Sequence, residues 1–158
     1  MTVEFNKLRA TALAWLGRQE YYQAKFRQKL KDKEATDEQI ELIVEEFTEH
    51  NWLSEQRYCN AFVRSRINKG QGKNRIKADA QNKRLDRDCL TLALEENDTD
   101  WFELALETYN RRYSGKPLAD SYGNNGKAYE KEKAKRMRFM QYRGFTMDQM
   151  RYAMEQTD

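Results

Sequence analysis

An internal repeat is the feature of this sequence that most limits its fold. Five apolar positions recur after 50 residues, and the last four of them recur again after a further 60 residues. Matched spacing in three copies indicates three similar units along one chain. The matched positions are Phe26, Leu30, Ala35, Ile40 and Val44 in the first copy, Ile76, Ala80, Leu85, Leu90 and Leu94 in the second, and Met140, Phe145, Met150 and Met154 in the third.

The spacing of apolar residues within each copy is that of an α-helix. Ile40, Ile43, Val44 and Phe47 recur at the helical period of 3.6 residues, and no stretch alternates for long as a strand does. We therefore predict an all-α protein of three tandem three-helix repeats. The predicted boundaries are 1–53, 54–97 and 98–158, with a loop inserted in the third repeat at about 114–127, where glycine, asparagine and Pro117 are concentrated. Units this small should share core with their neighbours and form a row.

Capping residues mark where several helices should begin. Thr36 and Gln39 have the spacing of a capping box, and Thr146 and Gln149 repeat it in the third copy. Asp86 is the corresponding cap in the second copy. The entry into the last helix of each repeat is thus specified three times.

Glycines mark two predicted helix ends. We expect the first helix to run from Phe5 to Leu16 and to end at Gly17. Gly70 and Gly72 follow a predicted helix, and we interpret them as its end and a tight turn. A phosphate-binding loop is the alternative, but it needs a preceding strand and more of the glycine pattern.

Positive charge is concentrated in the middle of the chain. The net charge is +3, yet residues 57–84 hold nine lysines or arginines against one acid, Asp79. A second basic run, which includes Lys131 and Lys133, precedes Phe139 and Tyr142. Such a surface suits phosphate backbones or an acidic protein groove.

The residue types needed for catalysis or metal binding are sparse. The chain has one histidine, His50, and two cysteines, Cys59 and Cys89, which are thirty residues apart and fit no usual zinc site. We expect small buried thiols in a reducing cytoplasm, no cofactor and no metal. No apolar run approaches the roughly 20 residues of a membrane span. These features favour a protein that acts by binding over an enzyme.

Two long motifs resemble those of the RecX family. Residues 52–58 (WLSEQRY) with 61–66 (AFVRSR) are similar to the central motif of that family, and residues 135–145 (KRMRFMQYRGF) are similar to its closing motif. Asp100, Trp101 and Ala105 resemble the start of its third repeat. The resemblance covers nearly the whole chain. Lys73 departs from it, since relatives often have proline there, and the loop at 114–127 is long.

The resemblance implies a fold and a function. RecX proteins are all-helical, with three three-helix repeats in a curved, elongated array. They regulate the RecA recombinase by binding in the groove of its filament on single-stranded DNA, and they suppress its ATPase, strand-exchange and co-protease activities. No catalytic activity is known for them. A non-enzymatic, cytoplasmic and monomeric regulator of recombinational repair and the SOS response is therefore expected.

The basic residues are the predicted contacts with RecA or DNA. A general basic DNA-binding protein that acts without RecA is the alternative, whereas operator binding by a helix-turn-helix is disfavoured because the third helix of the first repeat is acidic. The predicted contact residues are Arg57, Arg64, Arg66, Lys69, Lys73, Arg75, Lys77, Lys83, Arg84, Lys135, Arg136, Arg138 and Arg143.

Overall fold

The computed structural model describes residues 2–118 and 126–157 of the chain, and the described residues contain nine α-helices and no strand. This confirms the predicted all-α class. The helices are α1 (Val3–Arg18), α2 (Gln23–Asp32), α3 (Asp37–Glu49), α4 (Glu55–Asn68), α5 (Lys73–Asn82), α6 (Arg87–Asn97), α7 (Trp101–Tyr113), α8 (Gly126–Tyr142) and α9 (Met147–Thr157).

The chain divides into two compact units. Unit 1 consists of Met1–Phe62 and Ala80–Leu94, and unit 2 consists of Val63–Asp79 and Glu95–Asp158. The division passes through α4, α5 and α6. The repeat boundaries at 1–53, 54–97 and 98–158 stay a prediction, because they were defined by sequence recurrence and not by compactness. Residues 119–125 of the predicted 114–127 loop lie outside the described residues.

Aromatic and aliphatic side chains from α1, α2 and α3 form the core of unit 1. Phe26 and Leu30 of α2 have no exposed surface, and Phe26 meets Trp15 of α1 edge to face at 6.0 Å. Ring pairs in this geometry add to the stabilisation from area burial. The stripe predicted from helical spacing is buried. It comprises Ile40, Ile43, Val44 and Phe47.

The core of unit 2 is built mainly by α7, α8 and α9. Leu104, Ala105 and Tyr109 of α7 are buried together with Ala153 and Met154 of α9. At the edge of this packing, Thr157 Oγ1 donates a hydrogen bond to Asn110 Oδ1 at 2.6 Å. The four repeated positions of the third copy are core positions, because Met140, Phe145, Met150 and Met154 are all buried.

The structure confirms the predicted caps. Gln39 N donates to Thr36 Oγ1 at 3.2 Å while Thr36 N donates to Gln39 Oε1 at 3.0 Å. Thr146 and Gln149 form the same reciprocal pair at 2.9 and 3.2 Å. In the second copy, Asp86 Oδ1 accepts from the amide three residues later at 3.0 Å. Each cap satisfies an amide that the helix itself leaves without a partner.

A Schellman motif precedes each of these three caps. The residue before the apolar position is left-handed in every copy, with φ of 65° at Glu34, 61° at Arg84 and 100° at Gly144. The following amide donates to a carbonyl five residues earlier, which closes the end of the helix. These bonds are Ala35 N to Leu30 O at 3.1 Å, Leu85 N to Ala80 O at 3.1 Å and Phe145 N to Met140 O at 3.2 Å.

Gly70 ends α4 as predicted, with φ of 76°, but Gly17 does not end α1. That helix continues to Arg18, and the extended residue Gln19 terminates it. A glycine tolerated within a helix is not distinguishable from a terminal one by sequence alone. The expectation for Gly17 was therefore wrong by a few residues.

Gly72 and Gly144 allow two backbone segments of unit 2 to touch. Gly72 N donates to Arg143 O at 2.7 Å, and Asn74 N donates to Gly144 O at 3.1 Å. A Cβ on Gly72 would lie 2.5 Å from the carbonyl of Gly144, and a Cβ on Gly144 would collide with the backbone of Arg75. The amides at the start of α5 are thus satisfied by the turn after α8.

The first prediction concerns Gly144. Gly144→Ala is expected to lower the free energy of unfolding by about 1–2 kcal/mol or more, because alanine is disfavoured at positive φ and its methyl group has no room against Arg75. Chemical denaturation followed by circular dichroism measures the change. Gly17→Ala is the control, since a Cβ there meets nothing within 4 Å, and it should be neutral or stabilising. Equal stability of the two variants would contradict the close approach.

Candidate partner-binding surface

Part of the basic segment is exposed and available to a partner. Arg64 on α4, Lys69 in the turn and Lys77 on α5 are exposed, and no described carboxylate forms an ion pair with any of them. Lys73, the first residue of α5, is half-buried. All four belong to unit 2. These cations are not neutralised by the described part of the chain.

Asp79, the one acid of the basic segment, neutralises two of its arginines. Arg66 Nη1 and Arg75 Nε both donate to Asp79 Oδ2, the latter at 3.1 Å. Arg66 also donates to Gln71 Oε1 at 3.0 Å. Because these side chains are only 20 to 31% exposed, the ion pairs are partly shielded from water. Arg66 therefore links α4 to α5 within unit 2, and Arg75 pairs with Asp79 along α5 itself.

Three other predicted contact residues belong to unit 1. Arg57 Nε donates to Glu20 Oε2 at 2.6 Å, so its charge is paired. Lys83 Nζ lies 5.4 Å from the centroid of the Tyr22 ring, in a cation–π contact. Arg84 is exposed and occupies the left-handed position of its turn. The basic segment is continuous in sequence, but its members have different structural roles.

The predicted cations of α8 also separate into exposed and buried residues. Lys135 and Arg138 are exposed. Arg136 is only 2% exposed, and its guanidinium donates to the Tyr109 hydroxyl at 2.8 Å and to Glu132 at 3.3 Å. Arg136 cannot present its charge to a partner in this arrangement. Arg136 was predicted as a contact because its burial could not be recognised from the sequence. The burial of an arginine depends on partners that lie far away along the chain.

Three arginines meet in unit 2 at a pocket that the sequence analysis missed. Two of them, Arg111 and Arg112, lie in the last turn of α7, where basic residues are ordinary partners of the helix dipole. The sequence signal that could have identified the pocket was this arginine pair together with the basic closing motif at residues 135–145. The arginine pocket is lined by Thr108, Arg111, Arg112, Phe139 and Arg143.

The histidine stacks on a neighbouring aromatic ring, and the two cysteines are wholly or partly buried. His50 ends α3 and stacks on Trp52, with ring centroids 4.6 Å apart. Cys59 is buried and Cys89 is half-buried, and both thiols are free. Burial, assisted by the charge of Glu55, raises the pKa of Cys59 to about 12. Burial, then the charge of nearby Asp86, raises the pKa of Cys89 to about 11.

Metal-binding groups and membrane-spanning helices are absent from the described residues. Among residues 2–118 and 126–157, no three histidine, cysteine or acidic side chains are grouped so that they could hold a metal ion. In the same ranges, none of the helices combines the length and apolar character that crossing a bilayer requires.

Comparison with known proteins relates both the sequence and the fold to one family. The model of the second three-helix domain of RecX matches residues 54–94, and the model of the third three-helix domain matches residues 98–154. The regulatory protein RecX of Vibrio campbellii is 33% identical over 147 residues, which cover 93% of this chain and 89% of that protein. The regulatory protein RecX of Pseudomonas tolaasii is 36% identical over 151 residues, or 94% of this chain and 92% of that one.

Solved structures share the fold. The crystal structure of RecX from Lactobacillus salivarius has a TM-score of 0.79, covers 98% of this chain and 96% of its own, and is 20% identical in sequence. A crystal structure of a regulatory protein RecX has a TM-score of 0.76 at 18% identity, and it matches 96% of this chain and 73% of its own. At these identities the likeness shows the fold alone.

The fold and the matched domains define an all-α protein built from three-helix domains, whose relatives are named as regulatory proteins. The chain belongs to the RecX family. The predicted resemblance is therefore confirmed. The contact residues stay a prediction.

The second prediction concerns Asp79. Asp79→Asn should lower the free energy of unfolding by about 1–3 kcal/mol, because charge-assisted bonds to Arg66 and Arg75 are weakened and two partly buried cations lose their counter-charge. Asp148→Asn is the matched control, since its ion pair with Arg151 spans 3.9 Å and both side chains are mostly exposed. Denaturation midpoints should fall for the first variant only. A similar response of both would contradict a structural role for Asp79.

The thiols provide a third prediction. Because a raised pKa leaves less thiolate at a given pH, iodoacetamide at pH 8 should label Cys59 and Cys89 far more slowly in the folded protein than in urea. Between pH 8 and 10 the rate for half-buried Cys89 should keep rising about tenfold per unit, as expected below a thiol pKa. Peptide mapping by mass spectrometry separates the two sites. A rate that levels off near pH 9 would refute the raised pKa of Cys89.

Proposed function

We propose that this chain is a non-enzymatic regulator of the RecA recombinase. It binds RecA, chiefly as the filament on single-stranded DNA, and lowers ATP hydrolysis, strand exchange and co-protease activity. By doing so it modulates recombinational repair and the SOS response. The observation that carries this proposal is the exposed cationic run of unit 2 in a chain of the RecX family.

The electrostatics of the exposed run suit a filament on DNA. Arg64, Lys69 and Lys77 carry charge that no described carboxylate neutralises. A nucleoprotein filament presents many phosphates along a groove, and cations that approach it release condensed counterions. Complementary charge of this kind speeds association and fixes orientation. Binding in the groove would restrain RecA subunits and exclude a second DNA strand.

A plain DNA-binding function is the alternative, because unpaired cations also suit bare DNA. The two functions differ in what the partner must contain. A regulator of the filament should bind RecA on single-stranded DNA more tightly than either component alone. A plain DNA binder should show the same salt-sensitive affinity with and without RecA. Co-sedimentation with RecA filaments, with bare single-stranded DNA as the control, distinguishes them.

The fourth prediction tests the proposed contact surface. The triple variant Arg64→Glu, Lys69→Glu, Lys77→Glu should raise the concentration needed for half-inhibition of RecA ATPase by about tenfold or more, since attraction becomes repulsion at three positions. Arg66 is left intact because its ion pair with Asp79 supports the fold. The helical circular dichroism should be unchanged.

The matched control reverses three exposed lysines of unit 1. Lys7, Lys31 and Lys33 are exposed, and changing all three to Glu alters the net charge by the same amount. This control should keep most of the inhibition. Full inhibition by the unit 2 variant would refute the proposed surface, and an equal reduction in both would indicate dependence on net charge alone.

A further inference from the structure

The arginine pocket is concave and carries only positive charge. It lies in unit 2 between the last turns of α7 and the end of α8, with a volume of about 390 Å³. Of the five described residues that line it, three are arginines and none is an acid. Among the described residues, neither Arg111 nor Arg112 forms an ion pair. A pocket of this composition favours an anionic ligand.

Arg143 is half-buried, whereas Arg111 and Arg112 are exposed. Arg143 Nη2 donates to the carbonyl oxygen of Lys69, whereas its Nε is buried and has no hydrogen-bond partner in the described structure. Burial, and then the positive charges of Arg75 and Arg111, lower the pKa of Arg143. A buried donor without a partner is costly. An anion in the pocket would relieve both the unpaired donor and the repulsion.

Two of the three guanidinium groups of the pocket, those of Arg112 and Arg143, lie over one aromatic ring. Arg112 lies 5.1 Å and Arg143 lies 5.9 Å from the centroid of Phe139. Contacts of this kind restrict long side chains at little cost in hydration. Planar guanidinium groups offer paired N–H donors that match the oxygens of a phosphate group. The pocket is therefore organised before a ligand arrives.

An exposed aromatic ring stands next to the pocket in the chain. Tyr142, which precedes Arg143, is 70% exposed. Its ring is backed by the Arg75 guanidinium at 4.7 Å, and Arg75 Nη1 donates to the Tyr142 carbonyl at 3.1 Å. A large exposed ring held in one place by a cation is suited to stacking against a flat ligand.

We propose that Tyr142 and the arginine pocket form a binding site for single-stranded nucleic acid. The ring stacks on one base, and the arginines bind a neighbouring phosphodiester group of the same strand. A single strand is favoured over a duplex because only unpaired bases expose their faces to an aromatic side chain. It is favoured over an acidic peptide because a carboxylate side chain would leave the exposed ring unused. The site binds the bare strand, so this inference does not depend on RecA.

The phosphate-binding role is tested with a short fluorescein-labelled oligothymidylate and fluorescence anisotropy at several salt concentrations. The double variant Arg111→Ala, Arg112→Ala should weaken binding about tenfold. It should also reduce the slope of log affinity against log salt by about 0.7 for each phosphate that the variant no longer neutralises. Both side chains are exposed, so the protein should remain folded, as thermal unfolding will show.

The control removes the same charge outside the pocket. Lys7 and Lys31 are exposed in unit 1, and they belong neither to the pocket nor to the predicted contact residues. Their double replacement by alanine should change the affinity by less than about threefold, since surface cations away from the strand contribute only through the long-range field. If both double variants lose affinity equally, the strand follows the general positive field and the proposed pocket is wrong.

The stacking role has a different signature. Tyr142→Ala should weaken binding about tenfold, the typical effect of removing one stacking platform, and it should leave the salt slope unchanged. Tyr142→Phe keeps the ring and should bind as the unaltered protein does. Wild-type affinity of Tyr142→Ala would overturn the stacking role. Intact RecA inhibition by a variant that no longer binds the strand would separate this site from the proposed regulatory function.

Discussion

The structure depends on one arrangement that each of the three sequence copies contains, a Schellman motif followed directly by a helix with a side-chain cap. The bond that closes it joins an amide to a carbonyl five residues earlier, at 3.1 to 3.2 Å in all three copies. It fixes the left-handed residue and the direction of the next helix. Because Ala35, Leu85 and Phe145 donate these bonds and carry the recurring apolar side chains, the turn and the core are specified by the same residues.

The three copies differ where the turn meets another segment. Glu34 and Arg84 adopt the left-handed conformation although it costs a non-glycine residue free energy. Gly144 has an additional reason to lack a side chain, because the start of α5 donates hydrogen bonds to its turn. Its contact with Gly72 joins positions that are 72 residues apart. The sequence indicated a tight turn at Gly70 and Gly72, but it carried no information on which segment would touch that turn.

A feature of this structure could be predicted from the sequence when the residues that form it lie close together in the chain. The caps depend on groups three residues apart, so Thr36 with Gln39 could be recognised directly. The pairing of cations depends on distant partners. Arg136 reaches the hydroxyl of Tyr109, which is 27 residues away, and Arg143 reaches the carbonyl of Lys69. The positive character of the middle segment was therefore predictable, whereas the division between structural and available cations was not.

That division would let the basic residues of unit 2 both stabilise the unit and, in the proposed function, attract a polyanion. Arg66 and Arg75 share Asp79 and so contribute to the stability of unit 2. In the pocket, burial and then repulsion by the positive charges of Arg75 and Arg111 lower the pKa of Arg143. A phosphate-rich partner that binds only the folded state would remove this repulsion, and its binding would be linked to stability. The unpaired cations therefore repel one another in the isolated chain. Relief of that repulsion would contribute to the free energy of binding a polyanion.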